Sequence, residues 1–328
     1  MKEWLQVFRA QTAPATLLLI MTAALEAPCS LALGICLGVL AVCIHYISFG
    51  HNSLLDSCMI PKRGGRPYDE DDPNKSHHPL VRGKISIRKA KLVILWGYLG
   101  IGTAMVLLSL FIAANPTGSL AFLVMFILGG FSYNEGLSKE TIFGFIPISI
   151  CFTALAGWGW LITHPDLGAL GVLYLTYVWF VILYQISWSG HLKEMRVKER
   201  SNLIYALGGR LWGNYFYPGL SRIWAWLIKG LGLFFAFMIF LEVGSFVKWI
   251  WFLFICACIL FLLIKQTVPR VYDRGKELLR MSLMEVASIY LPIPVLVGWG
   301  IGGLLMAIGV IYFFSMNLIL WGKLYPGV

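Results

Sequence analysis

The sequence predicts an all-α fold, a polytopic transmembrane helical bundle of nine or ten helices. Hydrophobic residues make up 59% of the 328 positions and charged residues only 13%, whereas about a quarter of an ordinary soluble domain is charged. Apolar stretches of about 20 residues, the length that crosses a bilayer, recur along the whole chain. They lack the alternation of apolar and polar residues that membrane β-strands show, so helices are predicted.

The apolar segments can be placed in order along the chain. They fall at 12–27, 29–50, 90–113, 118–133, 141–163, 168–189, 222–242 and 245–265, and a last tract runs from Leu283 to Trp321. That tract is too long for one straight span, and Leu291-Pro292-Ile293-Pro294 and Gly298 to Gly303 offer breaks inside it. We expect either a long bent ninth span or ten spans, with ten slightly favoured. No cleavage site follows the first apolar run, so we expect it to be retained as a span.

Charge divides the loops into two groups. If the N-terminus with Lys2 and Arg9 is cytoplasmic, basic residues concentrate in the loops on that side, and the opposite loops carry almost none. This is the positive-inside rule, which explains the net charge of +10 without nucleic acid as a partner. We therefore predict a multi-pass protein of the cell membrane in contact with membrane lipid, with one domain spanning 1–328. Its N-terminus and two large polar loops, 51–89 and 190–221, here called the motif loops, are expected to be cytoplasmic.

The first motif loop carries candidate metal ligands. Asn52 and Asp56 stand one helical turn apart on one face at the end of the second span. A carboxamide and a carboxylate there are hard oxygen ligands that suit Mg²⁺, which prefers few carboxylates together with substrate phosphate oxygens. The acids farther along, from Asp69 to Asp72, are consecutive and cannot all face one ion, so solvated side chains are favoured for Glu70 and Asp71.

The second motif loop begins at the end of the sixth span with a mixture of acids and bases. Helical spacing puts Glu194 and Lys198 on one face, whereas Glu199 is rotated from Lys198 by about 100°. Simple solvation at the membrane surface explains such a cluster as well as a functional site does. Two loops of this kind on the same side, separated by four spans, favour a shared site.

With these two motif loops the chain resembles the UbiA superfamily of intramembrane prenyltransferases. That family has an Asn-x-x-x-Asp-x-x-x-Asp motif after its second helix and a Lys-Asp/Asp-x-x-x-Asp motif after its sixth. The opening Phe8-Arg9-Ala10-Gln11-Thr12-Ala13-Pro14 and the segments Asp72-Pro73-Asn74-Lys75 and Pro79-Leu80-Val81-Arg82-Gly83-Lys84-Ile85-Ser86 are also similar to it. The resemblance covers nearly the whole chain in helix order, and it implies a bundle around a central cavity.

The resemblance assigns roles to residues of the first motif. Asn52 and Asp56 match its first two metal-side positions, but Ile60 stands at the third and cannot bind a metal. The family spacing is recovered at Asp69, as though residues near Cys58 to Arg66 had been inserted. The resemblance therefore implies Asp69 as the displaced ligand, with Asp72 as a supporting acid.

The second motif departs further from the family pattern. Lys193 matches the diphosphate-binding lysine and Glu194 matches an acid, but Lys198 stands where the last Asp belongs. A protonated lysine cannot ligate Mg²⁺. Either Glu199 supplies the missing carboxylate after a local helix distortion, or Lys198 contacts the diphosphate directly; we favour the second.

The resemblance implies a Mg²⁺-dependent transfer of a polyprenyl group from an allylic polyprenyl diphosphate to a lipophilic acceptor, an aromatic ring or a lipid alcohol. Metal ligands would come from Asn52, Asp56, Asp69, Asp72, Glu194 and Glu199, the catalytic set being Asn52, Asp56, Asp69 and Glu194. Diphosphate would be bound by Arg9, Lys139, Lys193 and Lys198. A carbocation needs π-faces, and candidates to line its cavity are Tyr46, Phe49, Tyr133, Trp158, Tyr184 and Trp188, although packing is the commoner role of such residues.

Other interpretations stay open. The altered second motif fits a terpene cyclase or another enzyme that ionises the same donor without a separate acceptor, and a non-catalytic relative that binds or transports lipid is a further alternative. Zinc at His51, Cys58, His77 and His78 is disfavoured because their spacing matches no known ligand pattern. His45 is expected to be a hydrogen-bonded residue inside the membrane. The acceptor, the donor length and the oligomeric state are not indicated.

Overall fold

The computed structural model describes residues 1–59, 78–134, 141–193, 195 and 202–324, and only the backbone at 58 and 59. Eight of its helices are long and apolar enough to cross a membrane, and the two apolar helices Ala10–Ala24 and Pro116–Ser132 are shorter. The expected polytopic all-α bundle is confirmed, whereas the number of crossings stays a prediction. Eleven helices are labelled here in chain order: α1 Lys2–Val7, α2 Ala13–Ala24, α3 Leu31–Met59, α4 Ile87–Phe111, α5 Pro116–Ser132, α6 Phe145–Thr163, α7 Gly168–Tyr184, α8 Ser221–Val243, α9 Phe246–Thr267, α10 Arg274–Tyr290 and α11 Trp299–Trp321.

Helix ends follow local chemistry. The side chains of Ser86, Asn115 and Asp273 accept hydrogen bonds from backbone N–H groups in the first turns of α4, α5 and α10. The last apolar tract is divided where the sequence offered breaks: α10 ends at Tyr290, a short helix covers Ile293–Leu296, and Gly298 takes a left-handed φ of 78° before α11. Helix α10 begins well before Leu283, because its polar first turns are helical too.

The helices close into a ring. Each one from α2 to α8 packs against the next in sequence, α9 packs against α10, and α11 returns to α2. Helix α2 also packs against α6 at a close approach, where a Cβ on Gly159 would lie 2.9 Å from the carbonyl oxygen of Ile20. The largest fully buried side chains, Trp158, Trp188 and Tyr184 among them, belong to one apolar core.

Two ends of the bundle can be told apart by their contacts. At one end Asn115 donates to the carbonyl of Pro165, and His164 lies 2.5 Å from a carboxylate oxygen of Glu26. The other end, here called the motif face, gathers the N-terminus, the residues after 78, the end of α7 and the connection between α9 and α10. This arrangement agrees with the two groups of loops defined by charge.

The motif face also carries a small antiparallel sheet that the sequence analysis did not predict. Its strands β1 Arg210–Trp212, β2 Tyr215–Tyr217 and β3 Arg270–Val271 pair in the order β1-β2-β3, with Leu211 opposite Phe216 and Phe216 opposite Arg270. The sheet joins the loop after α7 to the connection between α9 and α10. Arg270 is then held by Glu277 through two bonds of 2.8 Å and lies 4.9 Å above the ring of Phe216.

Candidate active site

Helix α3 delivers Asn52 and Asp56 to the motif face. The helix continues to Met59, beyond the apolar segment that was predicted to end at residue 50, so residues 51–59 are helical and do not belong to a loop. No proline or glycine interrupts it between Gly50 and Pro61, which explains the longer helix. Asn52 is buried and Asp56 is half-buried, one turn farther out.

Arg9 pairs with Asp56. Its guanidinium Nη2 lies 3.1 Å from Oδ2 of Asp56, and the guanidinium also stands 5.9 Å from the ring centroid of Phe49. Arg9 has φ 47° and ψ 47°, and in the described chain it is the non-glycine residue with positive φ. A left-handed arginine costs about 1–2 kcal/mol, so contacts of the surrounding residues must hold it there.

Asn52 is oriented by a residue that the sequence analysis did not identify. Its Nδ2 donates to Oδ1 of Asn134 over 3.0 Å, and Nδ2 of Asn134 lies 3.5 Å from Nδ1 of His51. Because the amide nitrogen of Asn52 faces Asn134, its Oδ1 is turned away and can serve as a ligand. In the sequence, Asn134 could have been identified by its position just after α5, at the start of the segment that carries Lys139.

His78 lies close enough to Arg9 and Asp56 for their charges to act on it. The sequence favoured a hydrated loop histidine over a zinc ligand at this position, but the structure buries it. The ring is buried, the backbone N–H of Leu80 approaches its Nδ1 at 3.4 Å, and Nε2 has no partner among the described residues. Burial lowers the pKa of His78 to about 4, with a smaller contribution from the charge of Arg9, whereas Asp56 acts in the opposite direction. The ring is therefore neutral at pH 7.

His45 lies one level deeper, on the same helix. Its Nδ1 is 2.7 Å from Oγ1 of Thr16 and its Nε2 is 3.0 Å from Oγ1 of Thr12, while the ring stacks on Phe49 at 4.2 Å. The expected hydrogen-bonded histidine inside the membrane is therefore found. Its two bonds tie α3 to the start of α2 just below Arg9.

Lys193 ends the helical run that continues α7. A π-helix covers Gln185–Gly190 and a last turn covers His191–Lys193. The hydroxyl of Tyr272 donates to the carbonyls of Leu192 and Lys193, each over 3.1 Å. The connection before α10 therefore fixes the backbone that presents Lys193 at the motif face.

A group of polar side chains lies inside the bundle below Lys193, and the sequence analysis missed it. Nε2 of Gln185 donates to Oε2 of Glu285 over 3.0 Å, and Nζ of Lys229 donates to Oγ of Ser288 over 3.0 Å. Lys229 is 3% exposed and lies 4.1 Å from the ring centroid of Tyr184. We call Gln185, Glu285, Lys229 and Ser288 the inner polar cluster. Its signal in the sequence was one lysine and one glutamate within otherwise apolar spans.

The predicted site residues divide into two sets. The described residues include Arg9, Asn52, Asp56 and Lys193. Asn52 and Asp56 lie one turn apart at the end of α3, and Arg9 pairs with Asp56. The other six lie outside the described residues: Asp69, Asp72, Lys139, Glu194, Lys198 and Glu199. Within the part of the chain that the structure describes, no group of three or more His, Cys, Asp or Glu side chains could hold a metal ion. The predicted meeting of the two motifs therefore stays a prediction.

Aromatic residues proposed for the cavity take different positions. Phe49 lies beneath Arg9, and Tyr46 stacks on Phe8 and hydrogen-bonds Tyr312, so both are near the first motif. Trp158 donates to Ser109 over 3.0 Å and Tyr184 donates to Gln266 over 2.6 Å, and both are fully buried between helices. The latter two act as packing residues in the described structure.

This geometry defines a helical membrane protein with polar, oppositely charged side chains gathered at one end of the bundle. No protein-family model and no curated protein sequence matches the chain.

The fold itself is that of UbiA homologues. A homologue from Archaeoglobus fulgidus bound to DMAPP and Mg²⁺ superposes with a TM-score of 0.58 and 14% identity, over 96% of this chain and 98% of that one. A UbiA homologue from Archaeoglobus fulgidus bound to GPP and Mg²⁺ gives a TM-score of 0.56 and 14% identity, over 96% of this chain and 99% of that one. The apo structure of a homologue from Aeropyrum pernix K1 gives 0.57 and 14%, over 92% and 96%.

Proposed function

We propose that the chain is a member of the UbiA superfamily and a Mg²⁺-dependent intramembrane prenyltransferase. It transfers a polyprenyl group from an allylic polyprenyl diphosphate to a lipophilic acceptor, an aromatic ring or a lipid alcohol, and releases diphosphate. The observation that carries the proposal is the likeness over nearly the whole chain to UbiA homologues that bind DMAPP or GPP together with Mg²⁺. The Arg9–Asp56 pair beside Asn52 supports it from the chain's own residues.

The residues at the end of α3 fit a magnesium ion. Oδ1 of Asn52 is turned away from its hydrogen-bond partner, and Asp56 offers a carboxylate one turn farther along the same face. In our proposal Asp69, Asp72, Glu194 and Glu199 complete the ligand set, with Asn52, Asp56, Asp69 and Glu194 as the catalytic residues. When bound, Mg²⁺ would stabilise the negative charge that gathers on the diphosphate as it leaves.

The chain's own cations share that task. In the reaction the C–O bond of the donor breaks and its electron pair leaves with the diphosphate. The acceptor forms a bond to the allylic carbon and releases a proton to solvent. In our proposal Arg9, Lys139, Lys193 and Lys198 bind the departing oxygens. The ring of Phe49, stacked on His45 and close to Arg9, offers a π-face to the allylic cation.

We place this site on the cytoplasmic side of the cell membrane. In this proposal the whole chain, 1–328, is one transmembrane domain, and the N-terminus and both motif loops, 51–89 and 190–221, are cytoplasmic. The concentration of Lys and Arg on the motif face supports this orientation. The prenyl tail then lies among apolar helices, which is why such an enzyme has to be embedded in lipid.

One sequence feature favours a second candidate function. Lys198 stands where the family's last Asp belongs, so the chain could ionise the same donor and cyclise or hydrolyse it without a separate acceptor. A non-catalytic lipid-binding or transport relative is the third candidate. The sequence shows no internal repeat of the kind that transporters more often carry, which argues against a transporter.

The decisive experiment is to incubate the purified full-length chain with geranylgeranyl diphosphate and membrane lipid extract, with Mg²⁺ or with EDTA. Released diphosphate and the prenyl product are then identified by mass spectrometry. Mg²⁺-dependent release with a prenylated lipid supports the transferase. Release with a cyclic hydrocarbon or a free prenyl alcohol supports the second candidate. No release with any donor length contradicts both enzymatic functions.

A further inference from the structure

Four side chains on one face of α3 lead from the motif face into the bundle. They are His45, Phe49, Asn52 and Asp56, at the helical positions i, i+4, i+7 and i+11. The proposed reaction gives roles to the outer three but none to His45. The ring of His45 is 2% exposed, and both of its nitrogens are hydrogen-bonded. A buried ring that is bonded on both sides keeps one orientation, so it can in turn hold a neighbouring residue in place.

The bond between His45 and Thr12 determines where the ring proton lies. The hydroxyl of Thr12 donates its one hydrogen to the carbonyl oxygen of Arg9 over 2.8 Å, so its oxygen accepts from Nε2 of His45 at 3.0 Å. The other ring nitrogen, Nδ1, lies 2.7 Å from the hydroxyl of Thr16. Both partners are neutral hydroxyls, and a buried charge without a counter-ion is costly. A neutral ring that donates at Nε2 and accepts at Nδ1 satisfies all of these groups.

This chain of hydrogen bonds ends at the backbone of Arg9. The N–H of Thr12 donates to the same carbonyl oxygen over 2.9 Å, so both donors of Thr12 hold it. Arg9 has the left-handed φ of 47°, which needs such support, and its guanidinium reaches Asp56 over 3.1 Å. The ring of His45 also stacks at 4.2 Å on Phe49, whose ring faces that guanidinium at 5.9 Å. His45 therefore supports Arg9 both at its backbone and below its charged group.

We propose that His45 is a positioning residue that acts on Arg9 through Thr12. By donating from Nε2 it holds the hydroxyl of Thr12 against the carbonyl of Arg9, which keeps that backbone left-handed and the guanidinium in place for diphosphate. The inference rests on the proposed function, in which Arg9 binds the diphosphate of the donor. His45 transfers no proton in this role. A cation that is already oriented loses less conformational entropy when an anion binds, so His45 raises the affinity of the site for diphosphate.

Two variants of His45 separate the roles of its two ring nitrogens. The test measures binding of inorganic diphosphate in the presence of Mg²⁺ to the purified full-length chain by calorimetric titration. In His45→Gln the longer amide reaches the position of Nε2 and keeps a donor for Thr12, so binding should stay within about twofold of wild type. In His45→Asn the shorter amide reaches only the position of Nδ1, and binding should weaken about three- to tenfold. Steady-state kinetics with geranylgeranyl diphosphate should show the same difference in the KM for the donor.

The two threonines provide a matched pair of variants, because valine replaces each hydroxyl by a methyl group of similar size. Thr12→Val breaks the connection to Arg9 and should weaken diphosphate binding about three- to tenfold. Thr16→Val removes the partner of Nδ1 but leaves Nε2 bonded to Thr12, so binding should change less than about twofold. In the Arg9→Gly background, His45→Asn should also change binding less than about twofold, because its effect passes through Arg9.

A purely structural role of His45 predicts a different set of results. It predicts equal losses of binding in Thr12→Val and Thr16→Val, equal losses in His45→Gln and His45→Asn, and an undiminished loss in the Arg9→Gly background, and each of these overturns the inference. Wild-type binding by both His45→Asn and Thr12→Val overturns it too. If the His45 variants do not fold, the two threonine variants decide. Failure of the wild type itself to bind diphosphate with Mg²⁺ would instead contradict the proposed function, and the inference with it.

Discussion

Opposite charges touch at the first motif, whereas in the inner polar cluster they are kept apart. Arg9 and Asp56 meet at 3.1 Å with exposed fractions of 36% and 19%, so water reaches both partners. Lys229 and Glu285 lie inside the bundle, and each bonds a neutral partner, Ser288 and Gln185. An accessible pair can exchange its partner for a ligand at small cost, since exposed pairs are worth roughly 0–1 kcal/mol. Buried charges have to stay balanced as a set. The Arg9–Asp56 pair can therefore exchange its partner for a ligand, whereas the charges of the inner polar cluster have to remain in place.

Substitution of Asp56 should produce the largest effect and would test the first half of this comparison. Asp56→Ala removes both the proposed metal ligand and the partner of Arg9, and we expect diphosphate release from the donor to fall about 10³-fold. Asp166→Asn, an exposed acid at the opposite end of the bundle, is the control and should stay within about twofold of wild type. Release by Asp56→Ala at more than a third of the wild-type rate would contradict the assignment.

A second group of buried charges, formed by Glu277, Arg270 and Arg280, has no role in the proposed reaction and can be disrupted by one substitution. Glu277 is 1% exposed and accepts bonds from Arg270 and Arg280, so Glu277→Ala leaves two guanidinium groups without their carboxylate. We expect it to lower the free energy of unfolding by about 3–5 kcal/mol, measured by denaturant titration of the purified protein. Glu242→Ala, at an exposed site on α8, should change it by less than about 0.5 kcal/mol. Equal effects of the two variants would refute the view that inner charges act as a set.

Arg9 allows its charge to be separated from its backbone conformation. Arg9→Gly suits the left-handed φ of 47° but removes the guanidinium, whereas Arg9→Ala removes the guanidinium and keeps the strain. Both variants should raise the KM for the donor about tenfold. Only Arg9→Gly should keep or raise the melting temperature. A normal KM in Arg9→Gly would show that the pair with Asp56 is structural.

The smallest expected effect concerns His78. Its pKa is about 4 in the folded protein, whereas a solvated histidine has a pKa of 6.5, so the unfolded chain binds the proton first as the pH falls. Stability should be full well above pH 6.5 and should have declined by about 2 kcal/mol at pH 5. In His78→Gln, the decline measured by unfolding midpoints in a pH series without metal should be shallower than in the wild type. Identical pH profiles in wild type and His78→Gln would contradict burial of the neutral ring.

The sequence predicts features that depend on a local pattern of residues, and it does not predict contacts between distant segments. Span positions follow from the length of apolar runs, and the facing of Asn52 and Asp56 follows from helical spacing. Asn134 is close to Asn52 only because α5 returns to the motif face, so no local pattern indicated the contact. The strands are three residues or fewer, too short for alternation to be seen, and β2 pairs with β3 across more than fifty residues of chain. Lys229 and Glu285 stand singly within apolar tracts of the sequence, where no local motif distinguishes a functional residue from a packing one.

The π-helix at Gln185–Gly190 changes the direction in which the residues after it point. A wide turn of this kind behaves as one additional residue within a helix, so everything beyond it is rotated by about 100° relative to a regular α-helix. A helical wheel drawn from Gly168 onward therefore assigns Lys193 to the wrong side.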